Sequence, residues 1–148
     1  MRCVAVMAPV KKVVGGALEK LPFGLGKIAQ PFVDKLQRVS TLHDVVVVVD
    51  LRAEETIYAG NRFMVYALYP QARVSIHVMW GRQKQNTVLA AGKSILDRSS
   101  PVDIGSVMLK YGGGGHVAAG TCQVPHEDAE RVLAEVIDAV SAPRTVSV

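Results

Sequence analysis

The chain has 148 residues and a mass of 15.9 kDa, about one domain's worth of protein. Some 49% of it is hydrophobic and 20% charged, which suits a packed core and excludes a disordered tail. One Trp, four Tyr and three Phe are too few for a stacking platform for single-stranded nucleic acid, and two cysteines are too few for a disulfide scaffold.

Residues 1–25 carry Gly and Pro punctuation and read either as a linker or as the remnant of something upstream. Residues 27–40 read as a helix, with Ile28, Phe32 and Leu36 at four-residue spacing and Pro31 trimming its first turn. The reading therefore divides the chain into an N-terminal segment, 1–40, and a domain, 41–148. Asp44 to Leu51 holds five consecutive valines between acidic ends, the pattern of a strand buried on both faces. A short helix follows from Asn61, a suitable cap, to Leu68, before Pro70.

Val74, Ile76, Val78 and Trp80 alternate with Arg73, Ser75, His77 and Met79, which predicts a half-buried strand. A polar turn and a second strand, Thr87 to Ile95, complete a hairpin. Ser100-Pro101-Val102-Asp103 reads as a helix start, and Ile104, Val107, Met108 and Tyr111 share one helical face. Gly120 to Val124 reads as a strand. From His126 a last helix carries Ala129, Val132, Leu133, Val136, Ile137 and Val140 on one stripe. The expected fold is α/β or α+β: a mixed sheet with a central hairpin, flanked by helices.

The net charge is +4, and the basic residues Arg73, Arg82, Lys84, Lys93, Arg98 and Lys110 gather between 71 and 112. They lead into Gly112, Gly113, Gly114 and Gly115, followed by His116, Val117, Ala118, Ala119 and Gly120. A glycine run between a helix and a strand of one domain reads as a turn whose bare N–H groups approach a phosphate, with His116 as a further donor. A mere tight turn is the competing reading. Arg98 suits a bidentate phosphate clamp, and Ser94, Lys93 and Arg82 are accessory candidates.

Two motifs fail on context. Gly92-Lys93-Ser94 lacks the earlier glycine of a phosphate-binding P-loop, because Thr87 stands there. Gly113-x-Gly115-x-x-Ala118 follows a helix rather than a strand, so it is not a dinucleotide fingerprint. His116, Cys122 and His126 match no structural zinc spacing. Cys122 and His77 read as structural, and His126 as a helix starter. No acid pair or nucleophile–base set stands at a convincing spacing. No apolar run approaches the roughly 20 residues of a membrane span, so a cytoplasmic protein is expected.

Tyr111 to Gly120 resembles the glycine–His signature of the DHH-associated domain of DHH phosphoesterases. Asn61-Arg62-Phe63 with Ala67-Leu68-Tyr69-Pro70, and Gly92-Lys93-Ser94-Ile95 with Arg98, are similar to its exopolyphosphatase-related branch, and the likeness runs on through Thr121-Cys122-Gln123-Val124. Residues 40–142 are covered. The resemblance implies a domain that binds a phosphorylated substrate (oligonucleotide, nucleotide or polyphosphate) with Gly112 to Gly115 and His116, helped by Ser94 and Arg98. It implies a partner: an N-terminal catalytic domain holding divalent manganese or magnesium. The chain itself is then expected to bind no cofactor. It contains no Asp-His-His, so it is expected to lack the metal-activated water that hydrolysis needs. The step from His116 to Gly120 is one residue shorter than in exonuclease-type members, which keeps the substrate open. An independent nucleotide- or nucleic-acid-binding module, and a vestigial domain that only dimerises, are the alternatives.

Overall fold

The computed structural model describes residues 25–55 and 64–141. The linker reading of residues 1–24 and the Asn61 cap lie outside them. The elements are α1 (Leu25–Val39), β1 (Ser40–His43), β2 (Val46–Asp50), α2 (Met64–Leu68), β3 (Val74–Trp80), β4 (Thr87–Lys93), α3 (Ile104–Leu109), β5 (Gly114–His116), β6 (Ala119–Val124) and α4 (Ala129–Ser141). Short 3-10 turns at Arg82–Lys84 and His126–Asp128 join them. The strands form one six-stranded sheet in the order β1-β2-β3-β4-β6-β5. Among the described residues only β2 and β3 pair in parallel, so the sheet is mixed with a central β3–β4 hairpin, as expected.

Several boundaries differ from the sequence reading, each for a local reason. Pro31 lies inside α1, not in its first turn. The helix persists because Val33 and Leu36 are buried against Val47 and Val49 of β2, and tertiary packing outweighs one lost backbone bond. Asp44 does not begin a strand. It has φ +54° and forms the two-residue turn between β1 and β2, with His43 opposite Val46. Asp tolerates this left-handed conformation better than most residues. The cap of α3 is Asp103, whose carboxylate accepts from the Ser106 N–H, so Ser100 is not the helix start. Strand β4 ends at Lys93 rather than Ile95, and Trp80 is 37% exposed at the end of β3, its indole N–H donating to the Arg52 carbonyl.

The two faces of the sheet are covered unequally. On one face Val46, Val48, Val74, Ile76, Val78, Leu89, Ala91, Cys122 and Val124 pack with Ile104 and Met108 of α3 and Val132, Val136 and Val140 of α4. The amphipathic stripe of α4 and the α3 face read from the sequence both point into this core. On the other face the core joins α1 and α2 to Val47 and Val49 and stops there. Beyond β2 that face holds Ser75 and His77, then Ala90 and Gly92, then Ala119 and Thr121, then Gly114, in register across four strands.

Candidate anion-binding cleft

The uncovered face forms a cleft of about 650 Å³, walled on one side by Phe32, Lys35, Leu36 and Val39 of α1. This volume falls in the range of roughly 300–1,000 Å³ usual for small-molecule sites. Its floor is the row His77, Ala90, Thr121 and Gly114, directly opposite one another on β3, β4, β6 and β5. Lys93 and Gly92 line the end near the glycine run. Tyr66 of α2 is buried below; its hydroxyl lies 2.9 Å from the Ser75 hydroxyl and 2.9 Å from the Gly92 carbonyl oxygen.

The glycine run is not one uniform loop. Gly112 has φ +75° and closes α3, its N–H donating to the Leu109 carbonyl and that of Gly113 to the Met108 carbonyl. Gly114 to His116 then form strand β5 along β6. A Cβ on Gly113 would stand 2.0 Å from the Thr121 carbonyl oxygen, and one on Gly115 2.3 Å from the Ala119 carbonyl oxygen. Gly105 of α3 and Gly120 of β6 press on the same strand: a Cβ at either would come within 2.9 Å of Gly115 or Gly114 backbone. Two glycines of the run, Gly113 and Gly115, therefore serve the close approach of the chain to itself. A Cβ on Gly114 meets nothing within 4 Å, and Gly114 lines the cleft. Gly112 also meets nothing within 4 Å, but its φ of +75° serves the turn and it does not line the cleft.

His116 pairs with Ala119 on the cleft side of the sheet and is exposed. Its Nδ1 accepts a hydrogen bond from the Ala118 N–H at 3.2 Å. That bond assigns the neutral ring's proton to Nε2. The turn is tied to β4 by the Lys93 N–H donating to the Ala118 carbonyl, while β6 lies between Lys93 on β4 and His116 on β5.

Other candidates fall elsewhere. Ser94 is 3% exposed, and its hydroxyl oxygen accepts from the N–H groups of Leu96 and Asp97, which builds the loop that carries Arg98. Arg98 is exposed on that loop and does not line the cleft. Arg82 lies in the turn beyond Trp80 and Thr87, at the opposite end of β4 from Lys93. Seven strand residues put about 20 Å between those ends. His126 is bonded to the Thr87 hydroxyl and the Lys84 carbonyl and stacks edge-on with Trp80, which pins the hairpin turn to the start of α4. Cys122 is a buried free thiol, and burial pushes its pKa up, away from a reactive thiolate.

Sequence reasoning misses Lys35, His77, Ala90 and Thr121 as cleft residues. The available signal is the off-core positions of two successive strands: Ser75 and His77, then Ala90 and Gly92. Among the described residues no group of three or more His, Cys, Asp or Glu side chains converges as a metal site. The divalent metal that the fold family implies therefore finds no donor set in this part of the chain.

No family model and no curated protein matches the chain. Solved structures do. The fold superposes on the pGpG-specific phosphodiesterase PggH of Vibrio cholerae with a TM-score of 0.74 and 52% identity, over 85% of this chain and 45% of that one. An exopolyphosphatase-related protein of Bacteroides fragilis shares the fold at a TM-score of 0.53 and 12% identity, over 74% of this chain and 34% of that one. The DHH domain of a member of a ribosomal-protein family does so at 0.52 and 12%, over 77% and 30%. This is the fold of a DHH-associated domain, and the chain belongs to the DHH phosphoesterase family. It spans less than half the length of each of these relatives.

Proposed function

We propose that this domain is the substrate-gripping part of a DHH-type phosphoesterase working in the cytoplasm, and that the open cleft beside Gly114 receives the substrate's phosphates. The observation that carries this reading is the open space at Gly114 in a cleft that Lys93 also lines, with His116 two residues further along β5. Backbone approach supplies short hydrogen bonds, and a cation beside them offsets the charge of a phosphate. Arg98 sits on the adjoining loop, where it reaches a substrate longer than the cleft; Arg82 is too remote to share it. The family's metal chemistry, when the group is bound, supplies the activated water. This domain's residues contribute binding and orientation, and a separate Asp-His-His domain is the partner that cuts.

The experiment is a titration of the 148-residue chain with pGpG at low and at high salt. Binding is expected at low salt and should weaken as salt screens the lysine. Lys93→Ala and His116→Ala should each weaken it about tenfold, the size of one charge-assisted hydrogen bond. Affinity unchanged in both variants would sink the assignment. Hydrolysis by the purified chain with added manganese would overturn the claim that it only grips.

A further inference from the structure

Away from the cleft, Trp80 is the centre of a second patch, at the end of β3. Its ring is 37% exposed. His126 meets it edge-on at 5.0 Å, and the Arg52 guanidinium stands 6.0 Å over it. Arg52 is bonded in turn to Glu130 at 2.7 Å. His126 also holds the hairpin turn, where its Nε2–H donates to the Lys84 carbonyl at 2.7 Å. The Trp80 ring thus joins a cationic turn, carrying Arg82 and Lys84, to the acidic start of α4, carrying Glu127 and Glu130.

The turn is built against local preference. Gln83 has φ +54° and Lys84 φ +55°, and the Gln85 N–H donates to the Arg82 carbonyl. Two successive left-handed residues in a hairpin turn favour Asn-Gly, and long side chains are strained there. Arg82 to Gln85 are all exposed, so core packing does not call for them. Among the described residues neither Arg82, Lys84 nor Glu127 forms an ion pair. Exposed side chains at a hairpin tip suit another macromolecular surface better than a small ligand, which needs a concave site. A nucleic-acid backbone at the turn would meet Glu127 and Glu130 beside it and be repelled. A surface that carries both signs meets no such penalty, and this chain has one.

We propose that the Trp80 patch is a self-association surface, on which a second copy of the chain docks about a two-fold axis. The turn of each copy lies against the start of α4 of the other, with the two Trp80 rings near the axis. A two-fold interface must be complementary to itself, and a patch with both signs joined by an aromatic ring meets that condition. Trp and Arg are the side chains that most often anchor interfaces. The turn lies at the opposite end of β4 from Lys93, so the dimer leaves both clefts open. The surface is small, so the dimer is weak and labile to salt. It stands independently of the phosphate reading of the cleft.

The test is sedimentation of the full chain over a concentration series at low and at high salt. Wild type should dimerise at low salt and dissociate at high salt. Lys84→Glu and Glu127→Lys should each weaken the dimer on the order of tenfold, by setting like charges opposite one another. The double variant Lys84→Glu/Glu127→Lys should recover most of that loss. Gln83→Asn/Lys84→Gly should stay monomeric and yet melt several degrees higher, since it relieves the turn while removing the contact. All four substitutions are exposed, and circular dichroism checks that each variant folds. A wild-type chain that is monomeric at low salt would overturn the proposal. So would a dimer that ignores both single charge reversals, or a double variant no better than either single one.

Discussion

The two faces of one sheet have different compositions and different fates. Toward α3 and α4 the strands present Val, Ile and Leu, and this face is sealed. Toward α1 the same strands present Val47 and Val49 on β2, then Ser75, His77, Ala90, Gly92, Ala119 and Thr121; the apolar core of this layer stops with the valines, and α2 reaches further only through the Tyr66 hydroxyl on Ser75 and Gly92. Burial follows apolar area: Val47 and Val49 offer enough to hold α1 and α2, whereas alanine, glycine and serine offer little. The open face is thus written into alternate positions of β3, β4 and β6. One layer of side chains stabilises the fold and the other leaves room for a ligand.

The sharpest way to break this comparison is to exchange the behaviour of neighbouring β4 residues. Leu89 is fully buried in the core of the sealed face, and Ala90 lines the cleft. Leu89→Ala should cost about 2–5 kcal/mol in chemical denaturation, through lost burial and a residual cavity. Ala90→Ser should cost less than about 0.5 kcal/mol, as befits an unpacked position. If both substitutions destabilised equally, the face assigned as open would be a packed one.

The next contrast lies inside the glycine run. Gly115→Ala forces a Cβ into the Ala119 carbonyl at a φ of +153°, so it should cost about 2–3 kcal/mol and loosen β5, visible as faster amide exchange across Ala119 to Thr121. Gly114→Ala adds a methyl to empty cleft and should leave thermal stability nearly unchanged, while weakening pGpG binding several-fold. A Gly114→Ala variant that unfolds would mean that the whole run is structural and that none of it was kept bare for a ligand.

What the sequence reveals divides along the same line. The sealed face is readable because its signals are strong: the alternation of Val74, Ile76 and Val78, the stripe of α4, the run of valines. The turn chemistry is less so. Asp44 looks like the charged end of a strand, because nothing in a single sequence distinguishes it from a left-handed turn residue. Thus β1, which that turn creates, goes unread between the helix and the valines. The glycine–His segment does lie between a helix and a strand, but its four glycines look alike in the sequence. Only packing separates Gly113 and Gly115, pressed on β6, from Gly114. Arg82 and Lys93 seem part of one basic stretch. A hairpin sends its ends in the same direction and its turn the opposite way, so the two lie at opposite ends of β4. The cleft itself goes unseen, because it is defined by small residues on three strands and such residues give no periodic signal.

The smallest effect tests the sealed side at its rim. Arg52, just past the end of β2, is bonded through one nitrogen to Asp50 at 2.6 Å and to Glu130 of α4 at 2.7 Å. The side-chain hydrogen bond from Arg52 holds the Asp50 carboxyl below its ordinary value, against the upward pull of burial. A carboxyl whose pKa is lower in the folded than in the unfolded chain stabilises the fold above the unfolded value. That contribution fades as pH falls through the carboxylate range to the folded value. Partial exposure keeps it small, about 0.5 kcal/mol. Asp50→Asn should therefore lower stability slightly at pH 7, and the difference from wild type should shrink as pH falls through the carboxylate range. Phosphate binding at the far end of the cleft should be unaffected at neutral pH. A variant whose deficit grew on acidification would show that Asp50 is protonated more readily in the fold, the reverse of the ion pair with Arg52.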